Sequence, residues 1–331
     1  MMSNETAARA EVARFERDAS ELAAAIARRI VGQTGVVDGV LTALFAGGHV
    51  LLEGAPGLGK TLLVRTLARA LDLGFARVQF TPDLMPADIV GASILTDGPE
   101  GRRLRFQRGP VFTHVLLADE INRATPKTQS ALLEAMQEHA VTIAGETHAL
   151  DEPFFVLATQ NPIEMEGTYP LPEAELDRFL LKLEVEPPSA EELHAILDRT
   201  VGDEEPTVEA VLGRERLLAM RKLVRQVPVA RPVPDYVVRL VGAMHPTTTT
   251  LDEVRRWVRH GSSPRGAQAL ILAAKVRALR AGRSSPSFED VRTAVRPALG
   301  HRILLGFEAE AEAVTTAQVL GRILERISPE A

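Results

Sequence analysis

The residues Gly54-Ala55-Pro56-Gly57-Leu58-Gly59-Lys60-Thr61 set glycines, a lysine and a hydroxyl at the spacing Gly-x4-Gly-Lys-Thr. That spacing suits a phosphate. Glycines remove side-chain bulk, so successive backbone N–H groups can wrap an anion at a helix N-terminus, where the helix dipole also favours negative charge. Lys60 would reach the β- and γ-phosphates of ATP or ADP, and Thr61 would offer its hydroxyl to Mg2+. The expected nucleotide contacts are Gly54, Pro56, Gly57, Leu58, Gly59, Lys60, Thr61 and Leu62. Further on, the apolar run Val115-Leu116-Leu117-Ala118 ends in Asp119 and Glu120. An aspartate at the end of a buried strand beside a phosphate loop can hold Mg2+, and the next glutamate can orient and deprotonate a water. Asn161 closes the polar tip Thr159-Gln160-Asn161 and could hold that water or the γ-phosphate; read locally, it equally starts a turn before Pro162.

Two arginines are less distinctive. Arg178, in Asp177-Arg178-Phe179, reads locally as a surface residue. Arg265, in the first turn of a long helix after Ser262-Ser263-Pro264, could face back to the nucleotide or be exposed. His245 and His301 have no partners at metal-ligand spacing and read as structural.

Placing these groups requires a parallel sheet. Val50-Leu51-Leu52 predicts a strand before the loop, and Leu62 to Leu71 is apolar at helical spacing. Further strands are predicted at Arg77 to Phe80, at Val115 to Glu120, at Phe154 to Ala158 and at Leu180 to Val185, with a helix from Thr128 to His139. Val12, Phe15, Leu22, Ile26 and Ile30 line one face of a helix from about Glu11 to Val31. It stops at Gly32, and the turn carrying Val31 and Gly32 could lie against an adenine ring. From Asp88 to Val111 the pattern breaks into short pieces with a basic run, Arg102-Arg103-x-Arg105, and reads as an insertion. Ala140 to Ala144 and Thr147 to Leu150 flank Gly145-Glu146 and predict a hairpin. Past Pro187-Pro188 the strand signals fade into helices at 190–200, 213–226, 235–244, 264–281 and 288–298, with an acidic loop at Gly202 to Glu205. The expected fold class is therefore α/β: a phosphate-loop core with a parallel sheet over residues 1–187, then an all-α domain over 188–331.

A net charge of −6 with eleven Phe, two Tyr and one Trp argues against a nucleic-acid surface, because neutralising phosphates takes a basic face. No apolar run approaches the roughly eighteen residues that span a bilayer, and Glu5, Arg9, Glu11 and Arg14 interrupt any signal-peptide core. No cysteine is present, which removes disulfides, thiolate catalysis and Cys-based zinc sites. A cytoplasmic protein is expected.

Taken together, Gly54-Ala-Pro-Gly-Leu-Gly-Lys-Thr61, Gln79-Phe-Thr-Pro-Asp83, Ala118-Asp-Glu-Ile-Asn-Arg-Ala124, Ala158-Thr-Gln-Asn-Pro162, Glu166-Gly-Thr-Tyr-Pro-Leu-Pro-Glu173 and Leu176-Asp-Arg-Phe179 resemble the AAA+ ATPases, and within them the MoxR branch. The resemblance implies Walker A at Lys60 and Thr61, Walker B at Asp119 and Glu120, sensor 1 at Asn161, an arginine finger at Arg178, sensor 2 at Arg265 and a helical lid after Pro188. It also implies that 88–111 is a helix-2 insert and 140–150 a pre-sensor hairpin, both facing the channel or partner of a ring. Family members are usually hexamers acting as chaperone-like machines that mature other complexes, often with von Willebrand factor A domain proteins and sometimes for metal cofactor insertion. This chain carries no such domain, so a client or adaptor would be a separate polypeptide. Two other readings share part of the pattern. A nucleotide-gated switch with little turnover uses every motif; a phosphate-loop kinase acting on a small molecule leaves Glu120, Asn161 and Arg178 unexplained.

Overall fold

The structure, a computed structural model, describes residues 2–98, 101–161, 167–201 and 207–329. Pro162, Glu166 and the acidic loop Gly202 to Glu205 lie outside the described residues. Among the described residues nine strands lead up to Pro187. They are β1 (Val50–Glu53), β2 (Phe75–Gln79), β3 (Gly91–Gly98), β4 (Gly101–Arg108), β5 (Val115–Asp119), β6 (Ala140–Ile143), β7 (Glu146–Ala149), β8 (Phe155–Gln160) and β9 (Leu181–Glu184).

Five of these form one sheet in the order β2-β5-β8-β1-β9, every pairing parallel. The three central strands are buried on both faces, so they read as nearly continuous apolar runs, and the pleat sends alternate residues to opposite cores. Val50, Leu52, Val115, Leu117, Phe155 and Leu157 join one apolar cluster; Leu51, Leu116, Ala118, Val156 and Ala158 join the other. Parallel register puts all the strand C-termini on one edge. Glu53 pairs with Gln160, and Gln79 with Asp119, so the phosphate loop, the two carboxylates and Asn161 emerge side by side.

The first cluster does not stop at Pro187. Leu217, Met220, Tyr236, Leu270 and Val291, all beyond that point, belong to the same apolar cluster as Val50 and Leu52. The N-terminal helix, observed at Met2–Ala27, packs both on the helix Lys60–Ala70 and on the helix Pro264–Arg280. It ends before the predicted Val31, in a turn where the Arg29 N–H bonds the Ile26 carbonyl at 3.0 Å; Gly32 at φ 64° and Gln33 at φ 51° then redirect the chain while Ile30 stays buried.

The 88–111 insertion differs from its expectation of short broken pieces. After a short helix, Pro86–Val90, β3 and β4 form an uninterrupted antiparallel ladder from Gly91↔Arg108 to Gly98↔Gly101. The ribbon packs on little, so it needs no apolar alternation, and its arginines and glycines hide the strand signal. The hairpin β6–β7 turns through Ala144 and Gly145, both at positive φ, so the tight turn lies one residue earlier than expected and Glu146 belongs to a strand. Sequence periodicity also leaves unassigned the helices Thr34–Ala46, Asp252–Trp257, Phe307–Ala311 and Thr316–Arg326, and the small pairing of Val258–His260 with Leu304–Leu305.

Candidate active site

The loop between β1 and the helix Lys60–Ala70 borders a cavity of about 410 Å3. Pro56, Gly57, Gly59, Lys60, Thr61 and Leu62 line one side; Asp119, Glu120 and Asn161 line the other. Gly57 and Gly59 sit at φ 83° and 79° with open space where a Cβ would stand, so backbone conformation, not crowding, demands glycine there. Gly54 serves differently: a Cβ would stand 2.6 Å from the Val185 carbonyl oxygen just past β9. Lys60 is only 9% exposed, and its ammonium donates back to the carbonyls of Gly54 and Ala55. Burial pushes its pKa down, opposed by Asp119 and Glu120. A buried cation satisfied only by its own loop is matched to an incoming polyphosphate.

Val31 and Gly32, which do not line this cavity, sit just before Gln33, which reaches the same loop. Gln33 donates from Nε2 to the Leu58 carbonyl at 2.8 Å, and the Gly32 backbone lies against Glu192 at the start of the helix Ala190–Thr200. A flat heterocycle entering beside Gly32 would therefore meet the phosphate loop and that helix together.

The carboxylate side is more elaborate than its motif. Asp119, 8% exposed, accepts a 2.6 Å hydrogen bond from the Thr159 hydroxyl, which in turn accepts from the Glu120 backbone N–H at 2.8 Å. Glu120 takes a left-handed φ of 56° to make that contact, a conformation costing a non-glycine residue about 1 kcal/mol. Two groups that sequence reading missed close the ring. Arg77 donates to Asp119 Oδ2 through Nη2 at 2.7 Å and Nε at 3.1 Å; Gln79 donates to Glu120 Oε2 at 2.8 Å. Arg123 also reaches Glu120 Oε2, at 3.1 Å. Arg77 and Gln79 project from the same face of β2, but only the pairing of β2 with β5 aims them at the carboxylates.

Among the described residues no group of three or more His, Cys, Asp or Glu could hold a metal ion. Thr61 and Asp119, two oxygen ligands beside a phosphate cradle, instead fit Mg2+, which keeps waters and takes much of its coordination from substrate phosphates.

Arg178 and Arg265 are elsewhere. Both line a second cavity of about 200 Å3, with Gln137, Asp177 and Arg302, and neither is among the residues lining the phosphate cavity. Of the two sequence readings of Arg265, facing the nucleotide or standing exposed, its placement here is away from the phosphate loop of its own chain. Its guanidinium instead meets Gln137 Oε1 at 3.5 Å and Asp177 Oδ2 at 3.9 Å. The reason is the docking of its helix: Ser263, the N-cap, donates its hydroxyl to Asp177 at 2.8 Å and fixes the first turn there. Arg178 leaves Nε buried without an acceptor, a costly state for a charged donor.

His245 and His301 lie in ordinary hydrogen bonds to the carbonyls of Ser262 and Phe179, at 3.0 and 3.1 Å. Among the described residues no helix is long and apolar enough to cross a membrane.

The geometry agrees with what the chain is similar to. Residues 49–181 match the ATPase family associated with various cellular activities (AAA), and residues 253–323 match the AAA lid domain. The chaperone MoxR1 of Mycobacterium tuberculosis is 44% identical over 96% of this chain and 83% of its own length. The protein MoxR of Methylorubrum extorquens is 34% identical over 88% of this chain and 87% of its own. A crystal structure of a candidate ATPase from Cytophaga hutchinsonii superposes with a TM-score of 0.91 at 37% identity, covering 99% of both chains. A phosphate loop, a carboxylate pair and a helical lid on one parallel sheet, shared over nearly full length with these relatives, place the chain in the MoxR family of AAA+ ATPases.

Proposed function

We propose that this chain hydrolyses ATP to ADP and phosphate within a homo-oligomeric ring, of six subunits as is usual for the family, and couples the cycle to a separate client or adaptor protein. The observation that carries the reading is the division of charge between two cavities. Lys60, Thr61, Asp119, Glu120 and Asn161 surround one; Arg178 and Arg265 line the other. Hydrolysis needs both sets, and one chain does not bring them together.

In the phosphate cavity Lys60 counters the β- and γ-phosphate charge, while Thr61 and Asp119 would hold Mg2+, which neutralises charge developing on the phosphate oxygens. Asn161 orients the attacking water, and Glu120 takes its proton as the oxygen bonds to the γ-phosphorus and the bond to the bridging oxygen breaks. The remaining positive charge would come from Arg178 and Arg265 of a neighbouring subunit. An arginine finger is worth about 10^3 to 10^5 in rate. Arg178→Ala should therefore bind nucleotide yet scarcely hydrolyse it, and Lys60→Ala should not bind. A mixed ring contains interfaces where an intact phosphate loop meets an intact Arg178, so mixing the two dead variants should restore part of the turnover. Failure to recover, despite co-assembly seen by light scattering, would overturn the reading.

Client coupling is assigned to the two hairpins. Phe106 of β4 stacks on His148 of β7 with centroids 4.1 Å apart, so the two ribbons touch, and β7 leads into β8 and Asn161. Shortening β6–β7 at Ala144-Gly145 should leave basal hydrolysis intact and remove stimulation by a partner; full stimulation of the shortened protein would move the client surface elsewhere. A switch with little turnover is the second reading, favoured by the hold of Gln79 and Arg123 on Glu120. Steady-state hydrolysis well above the uncatalysed rate would exclude it.

A further inference from the structure

Arg178 lies on a short segment between the helix Glu173–Leu176 and β9, and one buried side chain from the lid grips that segment on both sides of it. The side chain of Arg302 is 3% exposed. Its Nε donates to Asp177 Oδ1 at 2.7 Å, and its Nη2 donates to the backbone carbonyls of Asp177 at 3.0 Å and Phe179 at 2.7 Å, the residues flanking Arg178. Nη1 reaches the carbonyls of Leu180 and Ala298. All three guanidinium nitrogens are thus engaged in one rigid fork, a geometry that lysine cannot reproduce. The other carboxylate oxygen of Asp177 receives the Ser263 hydroxyl, so the lid binds this segment from two elements. The neighbouring His301 donates to the Phe179 carbonyl, and burial keeps its pKa well below the usual imidazole value, adding no second charge beside Arg302.

An ordinary surface arginine loop needs none of this. A buried cation is costly unless fully paired, and here its pairing is spent on the backbone on either side of the half-buried Arg178. We infer that Arg302, through Asp177 and the carbonyls of Asp177 and Phe179, is a positioning residue that holds Arg178 in place for the neighbouring subunit. This rests on the trans reading of Arg178 given above. Lid placement in one subunit then sets the finger offered to the next.

The inference makes Arg302 a donor-side residue. Arg302→Ala should keep its own phosphate loop, bind ATP as tightly as the unaltered chain, and lose about 10^2-fold in kcat, as expected for misplacing a reacting group by about 1 Å. Mixed with Lys60→Ala it should regain turnover, because Lys60→Ala subunits supply an intact finger to its competent loop. Mixed with Arg178→Ala it should regain none, since both variants fail as donors. Arg302→Lys should behave as a weaker member of the same group. Should Arg302→Ala not fold, Asp177→Asn, which keeps the shape and removes the charge, takes the same three tests. Full hydrolysis by the variant overturns the inference, and so does failure to recover with Lys60→Ala while Arg178→Ala does recover. If Arg178→Ala itself fails to recover with Lys60→Ala, the trans reading falls first, and the two failures are told apart.

Discussion

The phosphate cavity and the arginine cavity hold their charges by different means. In the first, the groups stand on or just past buried parallel strands, or on the loop and helix start that follow one, and their positions follow from sheet register. In the second, Arg178 and Arg265 stand on a loop and a helix start, held through side chains: Arg302 and Ser263 bind Asp177, Arg302 binds the carbonyls of Asp177 and Phe179, and Arg265 meets Gln137. Register is rigid because shifting it breaks a ladder of hydrogen bonds and two apolar cores. A side-chain clasp can release as a unit. On the reading proposed above, the first cavity holds nucleotide in one geometry and the second is presented or withdrawn with the lid.

The sharpest way to test this contrast within the phosphate cavity is Glu120→Gln. It keeps volume and removes the proposed base, so ATP should bind normally while kcat falls by about 10^2 to 10^4, read in a steady-state phosphate-release assay. Near-normal turnover would show that water is activated elsewhere and that register alone does not define the site.

His49 tests the sheet that supports both cavities. It precedes β1, its Nδ1 accepts from the Val156 N–H at 3.0 Å, its Nε2 donates to the Met136 carbonyl at 3.2 Å, and its own carbonyl accepts from Leu180. Full burial lowers its pKa to about 4 from 6.5, because the ring must stay neutral to accept at Nδ1. The unfolded chain then binds the proton first as pH falls below 6.5, so native stability is lost between about pH 6.5 and 4, by up to about 3 kcal/mol. His301 shifts the same way, whereas His139, raised by its bond to Glu152, works in the opposite sense. Denaturant midpoints measured from pH 7.5 to about pH 5 should fall, and should fall less in His49→Gln. An equal fall in that variant would remove His49 from the account.

The smallest expected effect concerns Arg77. Its guanidinium occupies Asp119 Oδ2 and is about half exposed, 45% by side chain, so a metal must displace a weak ion pair. Arg77→Gln should lower the Mg2+ concentration needed for half-maximal hydrolysis by about 2- to 5-fold, the range of a partly exposed pair. A higher requirement would mean that Arg77 supports the metal site instead of competing for it.

How much of this was legible depended on how far apart the partners lie in the chain. The loop Gly54 to Thr61 carries its chemistry in its own backbone and needs only a strand before it and a helix after it, both visible as apolar runs. Asp119, Glu120 and Asn161 were legible for the same reason, each marking where an apolar strand turns polar. Arg77 and Gln79 were not, because which strand lies beside β5 is decided by the sheet order. The β3–β4 ribbon was hidden because its strands pair with each other and bury little.

The sequence by itself therefore determined the nucleotide cradle, the carboxylate pair and the α/β class, since these follow from short contiguous patterns of residue type. Only the tertiary structure decided where the arginines go. Arg265, which the sequence left able to face the nucleotide or stand exposed, was drawn to Asp177, while Arg302, silent in the sequence, became the clasp across a chain separation of 125 residues. Long cationic side chains find their partners through packing of distant elements, and no local pattern encodes that choice.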